Sequence, residues 1–99
     1  MFCRNGCYRK TPHLRVRPIP EMHACIVFTP DEPNLYTLNA TAWLVLELCD
    51  GRKGKAMEAS YYDAVEPLLT RSKACAELHR ILKDLEKKGI VEQTKANKR

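Results

Sequence analysis

This chain has little of what membranes, secretion or catalysis demand. No apolar run approaches the roughly 20 residues that span a bilayer. The opening M-F-C-R-N-G-C-Y-R-K has no apolar core of a secretory signal. A cytoplasmic location is therefore the expectation. Only four glycines occur, and none build a phosphate-cradling loop. There is no H-E-x-x-H pair and no nucleophile elbow. The three histidines lie far apart, with none beside a cysteine in a pattern that suggests a dyad. These absences point to a binding module, not an enzyme, with no cofactor and no catalytic residue expected.

Five cysteines stand at 3, 7, 25, 49 and 75. An odd, scattered set argues against a disulfide framework. Cys49 and Cys75 occupy apolar positions of helical patterns and read as small core residues. Cys3 and Cys7 could form half a metal site, but no second Cys/His pair has finger-like spacing, and His13 and His23 do not supply one. The expectation is no metal, and two thiols on an N-terminal tail.

What is present fits a single soluble domain of 99 residues, 44% apolar and 29% charged. A chain of this size buries roughly 60–70% of its unfolded surface, enough for a modest core. The formal charge of +5 is concentrated at the ends, in Arg4, Arg9, Lys10, Arg15 and Arg17, and in Lys95, Lys98 and Arg99. Basic ends suit an acidic partner, whether nucleic acid or peptide.

The organising stretch is Leu35–Gly51, which changes period in the middle. Leu35-Tyr36-Thr37-Leu38 has strand-forming residues, with Leu35 and Thr37 on one face and Tyr36 and Leu38 on the other. Asn39 offers a side-chain oxygen to cap a helix. The Asn39-Ala40-Thr41 glycosylation sequon is set aside for that reason. From Ala40 to Cys49 the chain is apolar on almost every side, which predicts a buried helix with Trp43, Leu44 and Leu48 in the core. Asp50-Gly51 supplies the stop.

Around it, residues 1–11 show no period and read as a tail. Alternation predicts strands near 13–17 and 23–29, the second from Ile26-Val27-Phe28-Thr29. Pro18 and Pro20 end the first or demote it to an edge. Pro30–Asn34 is a turn by composition. With 34–38 returning, a three-stranded antiparallel sheet results. Arg52–Lys55 reads as a basic loop. A second helix covers about Ala56–Val65, closed by Pro67. Ser72 is expected to cap a third, about Lys73–Lys88, whose Cys75, Leu78, Ile81, Leu82 and Leu85 form an apolar stripe and whose Glu77 faces Arg80. Ile90-Val91 returns to the core, and Glu92 onward reads as tail. The expected fold is α+β and winged-helix-like, a three-stranded antiparallel sheet followed by three helices. The division is 1–11 tail, 12–93 domain and 94–99 basic tail.

Such a module offers two surfaces. A free sheet edge can accept an extended peptide as an added strand, or pair with a second copy, so a homodimer is left open. The last helix could instead enter a DNA groove, as in a winged-helix transcriptional regulator. Glu77, Asp84 and Glu86 on that helix argue against nucleic acid, because they repel phosphates.

Leu38-Asn39-Ala40-Thr41-Ala42-Trp43, then Leu46-Glu47-Leu48-Cys49-Asp50-Gly51, then a capped helix ending Leu85-x3-Gly89-Ile90-Val91 resemble, in order and spacing, the PqqD family. These are small proteins of pyrroloquinoline quinone biosynthesis and their relatives, also called RiPP recognition elements. The resemblance covers about 12–92. It implies a winged-helix-like peptide chaperone that binds the leader of a ribosomally made precursor and presents it to a modifying enzyme, often a radical SAM enzyme. In the family the leader adds beside the third strand and packs on the third helix. Carried onto this chain, that marks Leu35, Tyr36, Thr37 and Leu38 on the strand. On the helix it marks Lys73, Ala76, Glu77 and Arg80. The chain departs from the pattern at Arg52–Lys55, where relatives open the second helix with a hydroxyl cap, and at Pro67. The Cys-bearing N-terminus lies outside the pattern.

Overall fold

The computed structural model describes residues 4–30 and 33–94. In chain order the elements are β1 (Cys7–Lys10), β2 (Arg15–Ile19), β3 (Ala24–Thr29), β4 (Asn34–Leu38), α1 (Ala40–Leu48), β5 (Asp50–Lys53), α2 (Gly54–Val65), α3 (Arg71–Lys87) and β6 (Val91–Thr94). The fold is α+β: three helices and two three-stranded antiparallel sheets, ordered β2-β3-β4 and β5-β1-β6.

The first sheet is the one expected from alternation, except that its first strand lies at Arg15–Ile19 rather than 13–17 and runs through Pro18, which an edge strand tolerates. Its register sets Val16 opposite Val27 and Val27 opposite Tyr36, with Cys25 opposite Leu38. Cys25, Val27 and Leu38 are buried on that face. The other face carries Arg15 opposite Phe28 opposite Leu35, and Arg17 opposite Ile26 opposite Thr37. Period-2 side-chain alternation divides the strands this way.

The second sheet corrects the sequence reading in three places. Residues 7–10, expected within a tail, form β1, the middle strand of that sheet. Tyr8 anchors it with no exposed surface. Glu92, expected to begin a tail, lies in β6 opposite Arg9 and forms an ion pair with it. Asp50–Lys53, expected as a helix stop and basic loop, is strand β5. Each strand has four residues and few apolar ones, so pairing partners distant in sequence hold them rather than local pattern. Gly51 still marks the helix exit: its φ of +97° is a conformation that side-chain-bearing residues rarely adopt. Residues 95–99 of the expected basic tail lie outside the described residues.

The helices follow their sequence signals with local shifts. Asn39 caps α1 as expected, its Oδ1 accepting from the Ala42 N–H at 2.9 Å. Within the helix, however, only Val45 and Leu46 are buried, and Trp43, Leu44 and Leu48 are half-buried. A domain this small covers one side of α1 and leaves the rest near solvent. α2 starts at Gly54, two residues early, and buries Met57, Glu58 and Tyr61. α3 is capped by Thr70, not Ser72: Thr70 has extended backbone angles and its Oγ1 accepts from the Lys73 N–H at 3.3 Å, which places Ser72 inside the first turn. Its buried stripe is Ala74, Leu78, Ile81, Leu82 and Leu85, while Cys75 is half-buried beside it. Truncating any one of the three leucines to alanine costs about 2–5 kcal/mol. This stripe holds α3 against the core and turns Lys73, Ala76 and Arg80 outward.

Candidate functional site

β4 is an edge strand. Its inner side pairs with β3, and no strand pairs with its outer side among the described residues. An edge strand presents unpaired backbone N–H and C=O groups to whatever comes beside it. α3 runs alongside, so that edge and helix enclose a groove of about 220 Å³. One wall is Thr37, Leu38, Asn39, Thr41 and Ala42, from the β4–α1 junction; the other is Glu77, Arg80, Ile81, Asp84 and Lys88. A shallower, more open hollow of about 360 Å³, lined by Leu69, Lys73, Ala76, Glu77 and Arg80, adjoins it. The two share Glu77 and Arg80, so they flank the same stretch of α3.

Two ion pairs set the electrostatics of the helical wall. Arg80 Nη2 lies 2.8 Å from Glu77 Oε2, and Lys88 Nζ lies 2.9 Å from Asp84 Oδ2. The Glu77–Arg80 pairing is the one expected from their spacing. Both pairs are largely exposed and add little stability. Lys73 has no ion-pair partner among the described residues, which leaves a free cation at the α3 N-terminal end. Lys88 also stands over the Tyr36 ring, 5.3 Å from its centroid, so the far end of α3 is tied to β4. On the other side of Lys88 lies a hollow of about 240 Å³ lined by Thr11, Pro12, Thr29, Pro30, Gly89 and Glu92.

The residues singled out from the sequence fall as follows. Thr37, Leu38, Glu77 and Arg80 line the groove, and Lys73 and Ala76 line the adjoining hollow. Tyr36 lines neither, but holds Lys88 at the groove's end. Leu35 is 71% exposed and lies on the outer face of the sheet. Asn39, Thr41, Ala42, Leu69, Ile81, Asp84 and Lys88 were missed. The sequence carried a signal for two of them: continuing the four-residue spacing from Arg80 reaches Asp84 and Lys88.

Elsewhere the polar groups are structural. Glu58, only 8% exposed, joins Arg4 Nε at 2.9 Å and His79 Nε2 at 2.8 Å, tying the N-terminal segment to α2 and α3. Burial pushes the Cys49 thiol up to about 12, and it donates to the Val45 carbonyl at 3.3 Å. Burial also raises Cys25 and Cys75. These are protonated, poorly nucleophilic thiols. Among the described residues no cluster of three or more His, Cys, Asp or Glu could hold a metal, and no helix is long and apolar enough to cross a membrane. Cys3, half of the considered metal pair, lies outside the described residues; Cys7 is half-buried in β1.

A family model described as Coenzyme PQQ synthesis protein D (PqqD) matches residues 24–91. The match takes in β3, β4, all three helices and β5, and with them both walls of the groove. Comparison with curated proteins and with solved structures gave no match.

Proposed function

The chain belongs to the PqqD family, accessory proteins in the biosynthesis of pyrroloquinoline quinone and of modified ribosomal peptides, and on that premise we propose that it is a non-catalytic peptide chaperone. It binds the leader of a ribosomally synthesised precursor by strand addition. It then presents the precursor to a modifying enzyme, of the radical SAM class in this reading.

The observation that carries this reading is the open edge of β4 beside α3, with a groove between them. Backbone hydrogen bonds along β4 give affinity tolerant of leader sequence. Alternate leader side chains point into the groove, against Leu38, Ile81 and the stems of Arg80 and Lys88, and these give specificity. Lys73 at one end suits an acidic leader residue, which raises the association rate and makes binding weaken with salt. Ordering a disordered leader opposes binding, so affinities near the micromolar range are expected.

A DNA-binding reading has less support. Arg52, in the basic stretch 52–55, is held by Asp50 through hydrogen bonds of 2.9 and 2.8 Å. The exposed face of α3 alternates acid with base. Titrating a leader peptide into isotope-labelled protein tests the proposal. Amide signals of 35–38 and 73–81 should move; shifts confined to other residues would refute it.

A further inference from the structure

The face of the first sheet that looks away from the core is only partly covered: Leu35 is exposed, and Ile26 and Phe28 are half-buried. Strand register lines up Arg15, Phe28 and Leu35 in one row across it, and Arg17, Ile26 and Thr37 in the next. Ile26, Phe28 and Leu35 belong neither to the buried core nor to the hydrophobic residues packed against it. Leu35 is 71% exposed, high for a leucine in a regular strand. Arg15 and Arg17 are exposed, and no ion pair of theirs occurs among the described residues. The pattern is an apolar centre with, along one side, two guanidinium groups that form no ion pair among the described residues. By strand spacing these two rows with their flanks measure about 14 by 17 Å, about 240 Å², a part of the roughly 800 Å² that each partner buries in a standard interface.

We infer that this sheet face, Arg15, Arg17, Ile26, Phe28 and Leu35, docks a folded protein whose complementary patch is apolar and flanked by carboxylates: the enzyme that modifies the bound peptide. The inference rests on the leader-binding reading above. Three features choose this occupant. Phosphates would satisfy the arginines, but a nucleic-acid backbone offers nothing to the Ile26–Phe28–Leu35 centre, whereas a protein patch satisfies both. A second copy of this chain is disfavoured, because a two-fold contact through the face brings four arginines together with no carboxylate from these strands to meet them. The third feature is continuity. β4 contributes Leu35 and Thr37 to the face while its outer edge borders the groove, so an enzyme seated here is one strand away from the leader. A chaperone that hands over a peptide needs this geometry: Thr37 borders both the face and the groove, whereas Arg15, Arg17, Ile26, Phe28 and Leu35 line neither hollow beside α3.

The test measures two affinities for each protein: for a purified radical SAM enzyme of the class proposed above, and for the leader peptide of that enzyme's precursor. The variants are Arg15→Glu/Arg17→Glu, Phe28→Ser and, in the groove, Arg80→Glu, each checked for an unchanged circular dichroism spectrum. The double charge reversal should weaken enzyme binding at least tenfold and leave the leader Kd within twofold. Phe28→Ser should weaken enzyme binding at least fivefold. Arg80→Glu should do the reverse, lowering leader affinity and sparing the enzyme. Enzyme binding within twofold of wild type for the charge reversal, or no enzyme binding at all, overturns the inference. So does sedimentation showing a dimer that the charge reversal disrupts, or duplex DNA binding that it abolishes. Loss of leader binding in every variant and in the wild type would instead sink the leader reading while the docking face stood on its own measurement.

Discussion

Lys88 stands with its ammonium 5.3 Å from the centre of the Tyr36 ring while its Nζ meets Asp84 at 2.9 Å. This one side chain ties the last turn of α3 to the strand whose edge is free. It is the common wall of the β4–α3 groove and of the hollow beyond it. Replacing it with alanine removes a ring contact worth about 0.5–1 kcal/mol and an exposed ion pair worth less. Lys88→Ala should therefore lower stability by about 1 kcal/mol in urea unfolding. It should weaken leader binding several-fold by isothermal titration, because the groove's end is no longer held. Unchanged affinity would remove Lys88 from the binding surface.

Tyr8 is the test of the second sheet. It has no exposed surface, and it sits on the middle strand between β5 and β6. Truncating a buried aromatic to alanine costs about 3–5 kcal/mol. Tyr8→Ala should lose that much in chemical denaturation, and removal of residues 1–11 should abolish the cooperative transition. A truncated chain that melts like the full one would restore the tail reading.

The thiols make a chemical prediction. Burial lifts Cys49 to about 12 and raises Cys25 as well. At pH 8 a disulfide reagent should leave both unmodified in the folded protein and react with both in denaturant. Rapid native labelling at Cys49, read by mass spectrometry, would show that the α1 exit is open.

Asp50 carries the clearest pH dependence. Hydrogen bonds from the Arg52 guanidinium hold its carboxyl down at about 2. A carboxyl lowered by folding adds stability that is present in full above its unfolded value, near 3.8, and is lost as pH falls through about 2. The side chain is half exposed, so solvent screening keeps the contribution below about 1 kcal/mol. Carbon-detected titration should place the Asp50 midpoint near 2, and Arg52→Ala should return it toward 3.8. A wild-type midpoint already at the ordinary value would contradict the pairing.

The parts of the fold that could be read from the chain are those where local pattern and burial agree. Ile26–Thr29 and Leu35–Leu38 alternate because one face of their sheet is core. Asn39 is a helix cap by chemistry and by position. Leu78, Ile81, Leu82 and Leu85 repeat at helical spacing because α3 has one buried side. The second sheet was not legible. Cys7–Lys10, Asp50–Lys53 and Val91–Thr94 are short and mostly polar, and each is strand only because the others are present. Asp50-Gly51 was read as a helix stop, which it is, but it is also the start of a strand. Thr70 and Ser72 both offer hydroxyls near the start of α3, and only backbone angles choose between them. At the candidate site the strand and the middle of α3 were anticipated, whereas the junction residues Asn39, Thr41 and Ala42 enter the groove through the chain's turn at the end of β4. No periodicity records such a turn.

The central claim is that a leader adds as a strand to the outer edge of β4. Amide hydrogen exchange of labelled protein, with and without a leader peptide at saturation, tests it most directly. In a strand, successive N–H groups point to opposite sides, so the account predicts that alternate amides across residues 34–38 slow at least tenfold on binding. The edge of β2, across the sheet, should be unaffected. Protection that falls on 15–19 or on 91–94, or exchange along β4 that the peptide leaves unchanged, would contradict it.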